Sequence, residues 1–147
     1  MGENCFHTAR KVFDMNQLIL ERLKRRMADL AAELGYSDPV VRKAGTISEI
    51  YVVKTHALQL EIDWRENDLF LYAVYLRDGK LPGKSVIYSY PDGHWCRKYL
   101  EEVCHTKRAV VRDRERRYSE EYLFERFDFY VQMIRRHRER LAEFLAD

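Results

Sequence analysis

Two histidines and two of the chain's three cysteines fall within residues 92–105, which read DGHWCRKYLEEVCH. Cysteine and histidine are common zinc ligands, which the ion holds at about 2.0–2.3 Å. The apolar spacing of residues 95–103 predicts a short helix, and a helix would separate Cys96 from Cys104 by roughly 12 Å of axial rise. One ion cannot bridge that distance, so the sequence predicts no metal site and no cofactor.

A thiol nucleophile is the second chemistry that this stretch could support. Such a nucleophile needs a lowered pKa and a base within hydrogen-bond reach. The predicted helix places Cys96 near a helix N-terminus, where the helix dipole favours the thiolate, and His94 lies two residues away. Cys96 and His94 are therefore the catalytic candidates. The simpler interpretation is structural: Asp92 and Gly93 form a turn, and Trp95 packs the following helix on the core.

Three carboxylates lie on neighbouring predicted strands. Glu49, Glu61 and Asp63 could bind Mg²⁺ or do acid–base chemistry if their strands pair. The alternation of apolar and polar residues over positions 58–65 already explains Glu61 and Asp63 as solvent-facing strand residues. Gly-rich phosphate loops and a Gly-x-Ser-x-Gly motif are absent from the sequence. These carboxylates alone do not predict an enzyme.

The strongest charge pattern is at residues 107–117, KRAVVRDRERR, with six basic residues against two acidic ones. Arginine binds phosphates bidentately, so a local patch could bind nucleic acid although the net charge is only +2. No nucleic-acid-binding motif accompanies the arginines, and acidic neighbours could equally neutralise a solvated surface. The candidate partner-binding arginines are Arg112, Arg114, Arg116 and Arg117.

Aromatic residues are concentrated in the predicted sheet region. Their positions along the strands place side chains on both faces of the sheet, so these residues cannot all face one core. Tyrosine combines apolar area with a polar tip and is enriched in protein interfaces. Tyr75 and Tyr88 are therefore candidate partner-binding residues.

Composition limits the class of protein. A chain of 147 residues with 46% hydrophobic residues and no linker-like segment predicts a single domain over residues 1–147. Three irregularly spaced cysteines favour a reducing compartment, and no apolar run is long enough for a signal peptide or a membrane span. We expect a cytoplasmic protein that does not bind membranes.

The spacing of apolar residues changes along the chain from a helical period to a strand period. A helix is predicted from an N-cap at Asp14 to Gly35, where glycine ends it, and Asp38-Pro39 suggests one further helical turn. A period-two pattern predicts a strand at residues 58–64, and a run that is apolar on both faces predicts a central strand at residues 69–76. A further strand is predicted at residues 85–90, before the turn that begins at Pro91. Residues 47–55 form another predicted strand, with no turn residue to separate it from the next. A brief edge strand at residues 108–111 and a long helix over residues 119–144 complete the elements.

The long C-terminal helix has two apolar stripes. Phe124, Val131 and Leu145 form the second one, displaced by about 100° from the first. A helix that covers one side of a sheet needs a single stripe. The second stripe predicts a homodimer, or an antiparallel contact with the N-terminal helix.

Taken together, the sequence predicts an α+β fold: an antiparallel sheet of about four to five strands carrying an N-terminal helix, a short helix and a long C-terminal helix. The predicted function is a non-enzymatic protein-interaction module, one form of which is an inhibitor or immunity-type protein of a bacterial toxin system. Nucleic-acid binding through residues 107–117 is the alternative, and a thiol enzyme that uses Cys96 is the third hypothesis.

Overall fold

The structure is a computed structural model that describes residues 2–83, 88–106 and 118–146, with side chains from residue 15 onward in those ranges. Helix α1 spans Gly2–Leu34. It buries the predicted stripe, including Leu20, Leu23 and Met27. As predicted, Gly35 ends the helix with a positive φ of 81°.

The predicted N-cap at Asp14 is wrong, because α1 begins twelve residues earlier at Gly2. No glycine or proline lies between Gly2 and Gly35 to interrupt the helix. A favourable N-cap contributes only about 1 kcal/mol, which does not start a helix where the preceding residues also favour helix.

Five antiparallel strands form one sheet in the order β1-β2-β3-β4-β5, which confirms the predicted α+β fold. Each strand pairs with its neighbour in sequence. The strands are β1 Val40–Ala44, β2 Ile47–Val53, β3 Ala57–Asp63, β4 Asp68–Val74 and β5 Arg97–Tyr99.

The structure shows two points about the first strands that the sequence did not. β2 is a separate strand, and the turn after it closes without glycine or proline through a hydrogen bond from Lys54 N to His56 O of 2.7 Å. The helical turn predicted after Pro39 is wrong, because residues 40–44 form β1 and pair with β2. The β-branched Val40 and Val41 favour this extended state.

The sheet has two differently covered faces. On the first face, rows of paired residues such as Ile50, Leu60 and Leu71 are fully buried in the main core beneath the helices. On the second face, Ala57 and Val74 belong to a smaller apolar cluster in which no helical residue takes part. Among the residues that the structure describes, the helices therefore form a layer on the first face.

The short helix is shorter than predicted. α2 spans Leu100–Cys104, whereas the three residues before it form β5. The predicted helical state of residues 95–99 is wrong because their backbone is used in strand pairing. Cys96 N donates to Tyr88 O at 2.9 Å, and Tyr75 N donates to Cys96 O at 2.8 Å.

The long C-terminal helix is divided in two. α3 spans Glu120–Arg136 and α4 spans Arg138–Ala146, with His137 between them in a non-helical conformation. Ser119 caps α3, since its side chain accepts a hydrogen bond from Tyr122 N. α1 lies over β2, and α3 lies over β4.

Helices α1 and α3 run parallel. Their ion pairs advance together along both helices: Arg22 with Glu120, Arg26 with Asp128, and Glu33 with Arg135, with N–O distances of 2.6, 3.2 and 3.2 Å. The antiparallel contact that the sequence suggested is therefore wrong in direction.

The second stripe of α3 meets α1. The Arg26 guanidinium lies 4.6 Å from the centre of the Phe124 ring, and Val131 borders a groove together with Leu30. Both apolar residues are half-buried against the core. The stripe is thus used within the chain, which removes the main argument for a homodimer.

Some predicted elements lie outside the described residues. This is the case for the edge strand at residues 108–111 and for the first half of the strand at residues 85–90, of which Ser89 forms an isolated bridge with Trp95. None of the described helices has the length and apolar character that crossing a membrane requires.

Candidate functional site

A polar cluster occupies the second face of the sheet. Its residues lie on the four strands β2 to β5 and are in contact through hydrogen bonds or stacked rings. We name it the Glu–Tyr cluster: Glu49, Tyr51, Gln59, Glu61, Tyr72 and Tyr99.

The strand register creates this cluster. Glu49 on β2 lies directly opposite Glu61 on β3. In the next row of the same face, Gln59 is paired with Tyr51 on one side and with Tyr72 on the other. Tyr72 in turn is paired with Tyr99 on β5. Polar side chains thus form two adjacent rows across the sheet.

Glu49 is the acceptor at one end of the cluster. Its Oε2 accepts a short hydrogen bond from the Tyr51 hydroxyl and another of 2.6 Å from Gln59 Nε2. Tyr51 and Gln59 are both almost completely buried. Buried donors of this kind fix the position of the carboxylate.

Glu61 accepts a hydrogen bond of 3.2 Å from the Tyr72 hydroxyl. Burial raises the pKa of the Glu61 carboxyl above its usual value; the Tyr72 hydrogen bond opposes this shift, and the facing Glu49 carboxylate adds to it. Burial also raises the pKa of the Tyr72 phenol. Tyr72 therefore stays a neutral donor at physiological pH.

Three tyrosines lie between Glu61 and the surface. The Tyr72 and Tyr99 rings pack with centres 4.7 Å apart, and the Tyr99 hydroxyl raises the pKa of both Tyr72 and Tyr88. Tyr88 at the outer end is 55% exposed. The half-buried Glu61 is thus separated by two tyrosines, Tyr72 and Tyr99, from a residue that a binding partner can touch.

Two of the three carboxylates predicted to form a site, Glu49 and Glu61, lie opposite each other on paired strands. Asp63 takes a different role, since its Oδ1 accepts from Arg65 N and Glu66 N at 3.1 and 3.2 Å in the turn after β3. Within the part of the chain that the structure describes, no three His, Cys, Asp or Glu side chains are grouped as metal ligands.

Replacing Glu61 by glutamine is expected to stabilise the protein at neutral pH. The folded carboxyl has a raised pKa, so above the ordinary value of 4.5 the unfolded chain ionises first and wild-type stability falls as the pH rises. Glu61→Gln removes this loss and keeps an oxygen for Tyr72. The melting temperature of the variant should therefore exceed that of the wild type at pH 7, and the difference should shrink towards pH 4.

Glu66→Gln is the matched control, because Glu66 is an exposed residue of the turn after β3. It should change the melting temperature little at either pH. A Glu61→Gln variant that melts below the wild type at pH 7 would contradict the raised pKa.

The thiol hypothesis required Cys96 to lie near the N-terminus of a helix, and the structure shows that it does not. Cys96 is completely buried and precedes β5, four residues before α2 begins at Leu100, so no helix N-terminus favours its thiolate. His94 is exposed, and its backbone N–H donates to the Asp92 side chain at 3.1 Å. The two candidate residues do not form an accessible catalytic pair among the described contacts.

The candidate partner-binding residues Tyr75 and Tyr88 have different neighbours. Tyr75 follows β4, is 38% exposed and has its ring 5.8 Å from that of Trp95, whose ring in turn lies 5.0 Å from that of Phe144 on α4. Tyr88 instead belongs beside the Glu–Tyr cluster. The candidate arginines Arg112, Arg114, Arg116 and Arg117 lie outside the described residues.

A second charged group was not predicted from the sequence. Arg126 on α3 is 3% exposed, with its Nε 3.6 Å from Asp68 Oδ1 and its Nη2 3.0 Å from the Tyr130 hydroxyl. Tyr130 donates to the buried Glu101 at 3.2 Å, and Tyr122 donates to Asp68 at 3.2 Å. This buried ion network joins the sheet, α2 and α3.

A tyrosine–histidine pair at the end of β2 was also missed. The Tyr36 hydroxyl hydrogen bonds to His56 Nε2. Burial raises the pKa of Tyr36 to about 12 and lowers that of His56 to about 4. Both residues are thus neutral across the physiological range, and neither is poised for proton transfer there.

A groove of about 1000 Å³ lies between α1 and α3. It is lined by charges of both signs, and two of its arginines, Arg22 and Arg26, already pair with acidic residues of α3. Such satisfied, exposed pairs are typical of a solvated helix surface. The Glu–Tyr cluster is therefore the better candidate site.

Comparison of the chain with protein-family models, with curated proteins and with solved structures finds no match.

Proposed function

We propose that the protein is a non-enzymatic protein-interaction module that binds its partner on the second face of the sheet, at the Glu–Tyr cluster and Tyr88. One observation carries the proposal. Tyr88 is 55% exposed, yet its backbone O accepts a hydrogen bond from Cys96 N at 2.9 Å, and Tyr99 of the cluster is near enough to raise the pKa of its hydroxyl. A tyrosine whose backbone is held in place can offer its ring at a smaller entropic cost than one on a mobile segment.

The chemistry of the cluster also supports binding. Its carboxylates accept hydrogen bonds from tyrosine hydroxyls. Cys96, the candidate nucleophile, is buried and is not part of the cluster. An inhibitor or immunity-type protein of a bacterial toxin system is one form of such a module, since an inhibitor acts by occupying a surface of its target.

Nucleic-acid binding is the alternative function. It depends on residues 107–117, which lie outside the described residues. No described contact favours it over protein binding.

Affinity capture with the full chain from a lysate of its source organism tests the proposal. We expect the wild type to retain a protein in stoichiometric amount. Tyr88→Ala should weaken that complex by about 2 kcal/mol or more, roughly 30-fold, as truncation of an interface anchor does. The dissociation constant of the isolated complex, measured by calorimetry, gives the value.

Tyr118→Ala is the matched control, because Tyr118 is similarly exposed at 60% but lies next to the N-terminus of α3. Its complex should keep the wild-type affinity. Equal affinity for the Tyr88→Ala complex would contradict the proposed surface, and retention of nuclease-sensitive material in place of a protein would favour the alternative.

A further inference from the structure

The two carboxylates of the Glu–Tyr cluster have no described ion-pair partner. Glu49 and Glu61 lie opposite each other on paired strands, where like charges repel. Neither takes part in an ion pair among the described residues. Arg42 lies opposite Glu49 on β1, but its Nη1 donates to Pro82 O at 3.1 Å and its guanidinium lies over the Tyr51 ring.

Gln59 supplies an independent observation. It is completely buried, and its Nε2 donates to Glu49, which fixes the orientation of the amide because a carboxylate can only accept. The other atom of the same amide, Oε1, is buried and accepts no hydrogen bond from a described residue. Burial of an acceptor without a donor costs free energy, so the cluster is completed by a group that donates.

Arg97 on β5 acts on Glu61 and lowers its pKa, but it forms no ion pair or hydrogen bond with Glu61 or Gln59 among the described contacts. A ligand that completes the cluster is therefore a further cation that carries several N–H donors. The cluster offers it oxygens of Glu49, Glu61 and Gln59. Aromatic rings stand beside them: Phe70 is paired with Glu61, and its ring centre lies 6.0 Å from that of Tyr99. A guanidinium is planar, has five donors and no acceptor, and stacks on aromatic rings. An ammonium ion fits the charge but lacks the flat shape.

We infer that the Glu–Tyr cluster receives an arginine side chain of the protein partner. This inference rests on the proposed function and names the chemistry of its contact. The charge of the arginine would offset the repulsion between the two facing carboxylates, and its donors would satisfy Gln59 Oε1.

A titration of the full chain with N-acetyl-arginine amide, followed by amide chemical shifts in NMR, tests the inference. We expect saturable shifts in β2 and β3. N-acetyl-citrulline amide has nearly the same shape without the charge, and it should bind at least about tenfold more weakly, because hydrogen bonds to a charged group are the stronger ones. Equal binding of the two amides, or shifts confined to other elements, would overturn the inference.

Glu61→Gln should weaken binding of the arginine amide at least about tenfold, and Glu66→Gln should leave it unchanged. Glu61→Gln is expected to fold, so a loss of binding reports on the site. Glu49→Gln is the second variant, with folding checked by circular dichroism. Unchanged binding by a folded Glu61→Gln variant would overturn the inference.

The same variant separates this inference from the proposed function. A partner protein that binds the wild type and Glu61→Gln equally would overturn the arginine contact while the protein-interaction function stood. Arginine-amide binding without any captured protein would support the cation site and contradict the protein-interaction function.

Discussion

Arg126→Met is expected to destabilise the protein by about 3–5 kcal/mol. The substitution keeps the length of the side chain but removes the guanidinium between Asp68 and the Tyr130 hydroxyl. The buried Asp68 carboxylate would then lose its cation, and the Tyr130 hydroxyl that donates to the buried Glu101 would lose its own donor. Equilibrium unfolding in urea measures the loss.

Arg135→Met provides the matched control on the same helix. Arg135 pairs with Glu33 at 3.2 Å, but its side chain is 60% exposed. An exposed pair contributes about 0–1 kcal/mol, so this variant should unfold close to the wild type. Similar losses for the two variants would show that the buried ion network does not depend on Arg126.

A double-mutant cycle would show how much of the Arg126 effect comes from its partner. Asp68→Asn combined with Arg126→Met should lose less than the sum of the two single losses, because the uncompensated charge is removed with its partner. Strict additivity would mean that the 3.6 Å contact contributes little.

Leu23→Ala is expected to cost about 2–5 kcal/mol. Leu23 is completely buried in the middle of the core stripe of α1, so the substitution removes apolar contacts and leaves a cavity. Thermal and urea unfolding should both show the loss.

Leu18→Ala makes the same chemical change five residues earlier on α1, where the side chain is 59% exposed. Its expected effect lies within about 0.5 kcal/mol. A large loss at position 18 would mean that this surface of α1 is covered in solution, for example by a second chain.

The parts of the fold that the sequence predicted have strong local signals. The stripe of α1 repeats every three to four residues, and Gly35 supplies the left-handed conformation that ends the helix. The alternation along β3 and the apolar run of β4 predicted a strand with one polar face and a central strand. In these segments local preference and final packing agree.

The wrong predictions lie where tertiary pairing decides the local state. Residues 95–99 have helical spacing of apolar residues, but the backbone N–H and C=O of Cys96 are hydrogen bonded to Tyr88 and Tyr75. Arg126 reads as a surface residue beside Glu125, although it lies three residues after Leu123 and four before Tyr130, on the apolar side of α3. That spacing was the signal that it would be buried.

The Glu–Tyr cluster could be predicted only in part. The sequence named Glu49, Glu61 and Asp63, but the choice between them depends on the register of β2 against β3. That register is set by the turn at residues 54–56, which contains no glycine or proline to reveal its length. A shift by one residue would place Glu61 on the helix-covered face.

The parallel arrangement of α1 and α3 has a consequence for the order in which the chain folds. The strand hairpins join residues close in sequence, so they close quickly. The contacts between α1 and α3 join residues 98 to 102 positions apart, for example Arg22 with Glu120 and Arg26 with Asp128. During synthesis α1 therefore leaves the ribosome long before its partner helix α3. Until then the apolar face of the nascent sheet is only half covered, and this interval is when the chain is most exposed to aggregation.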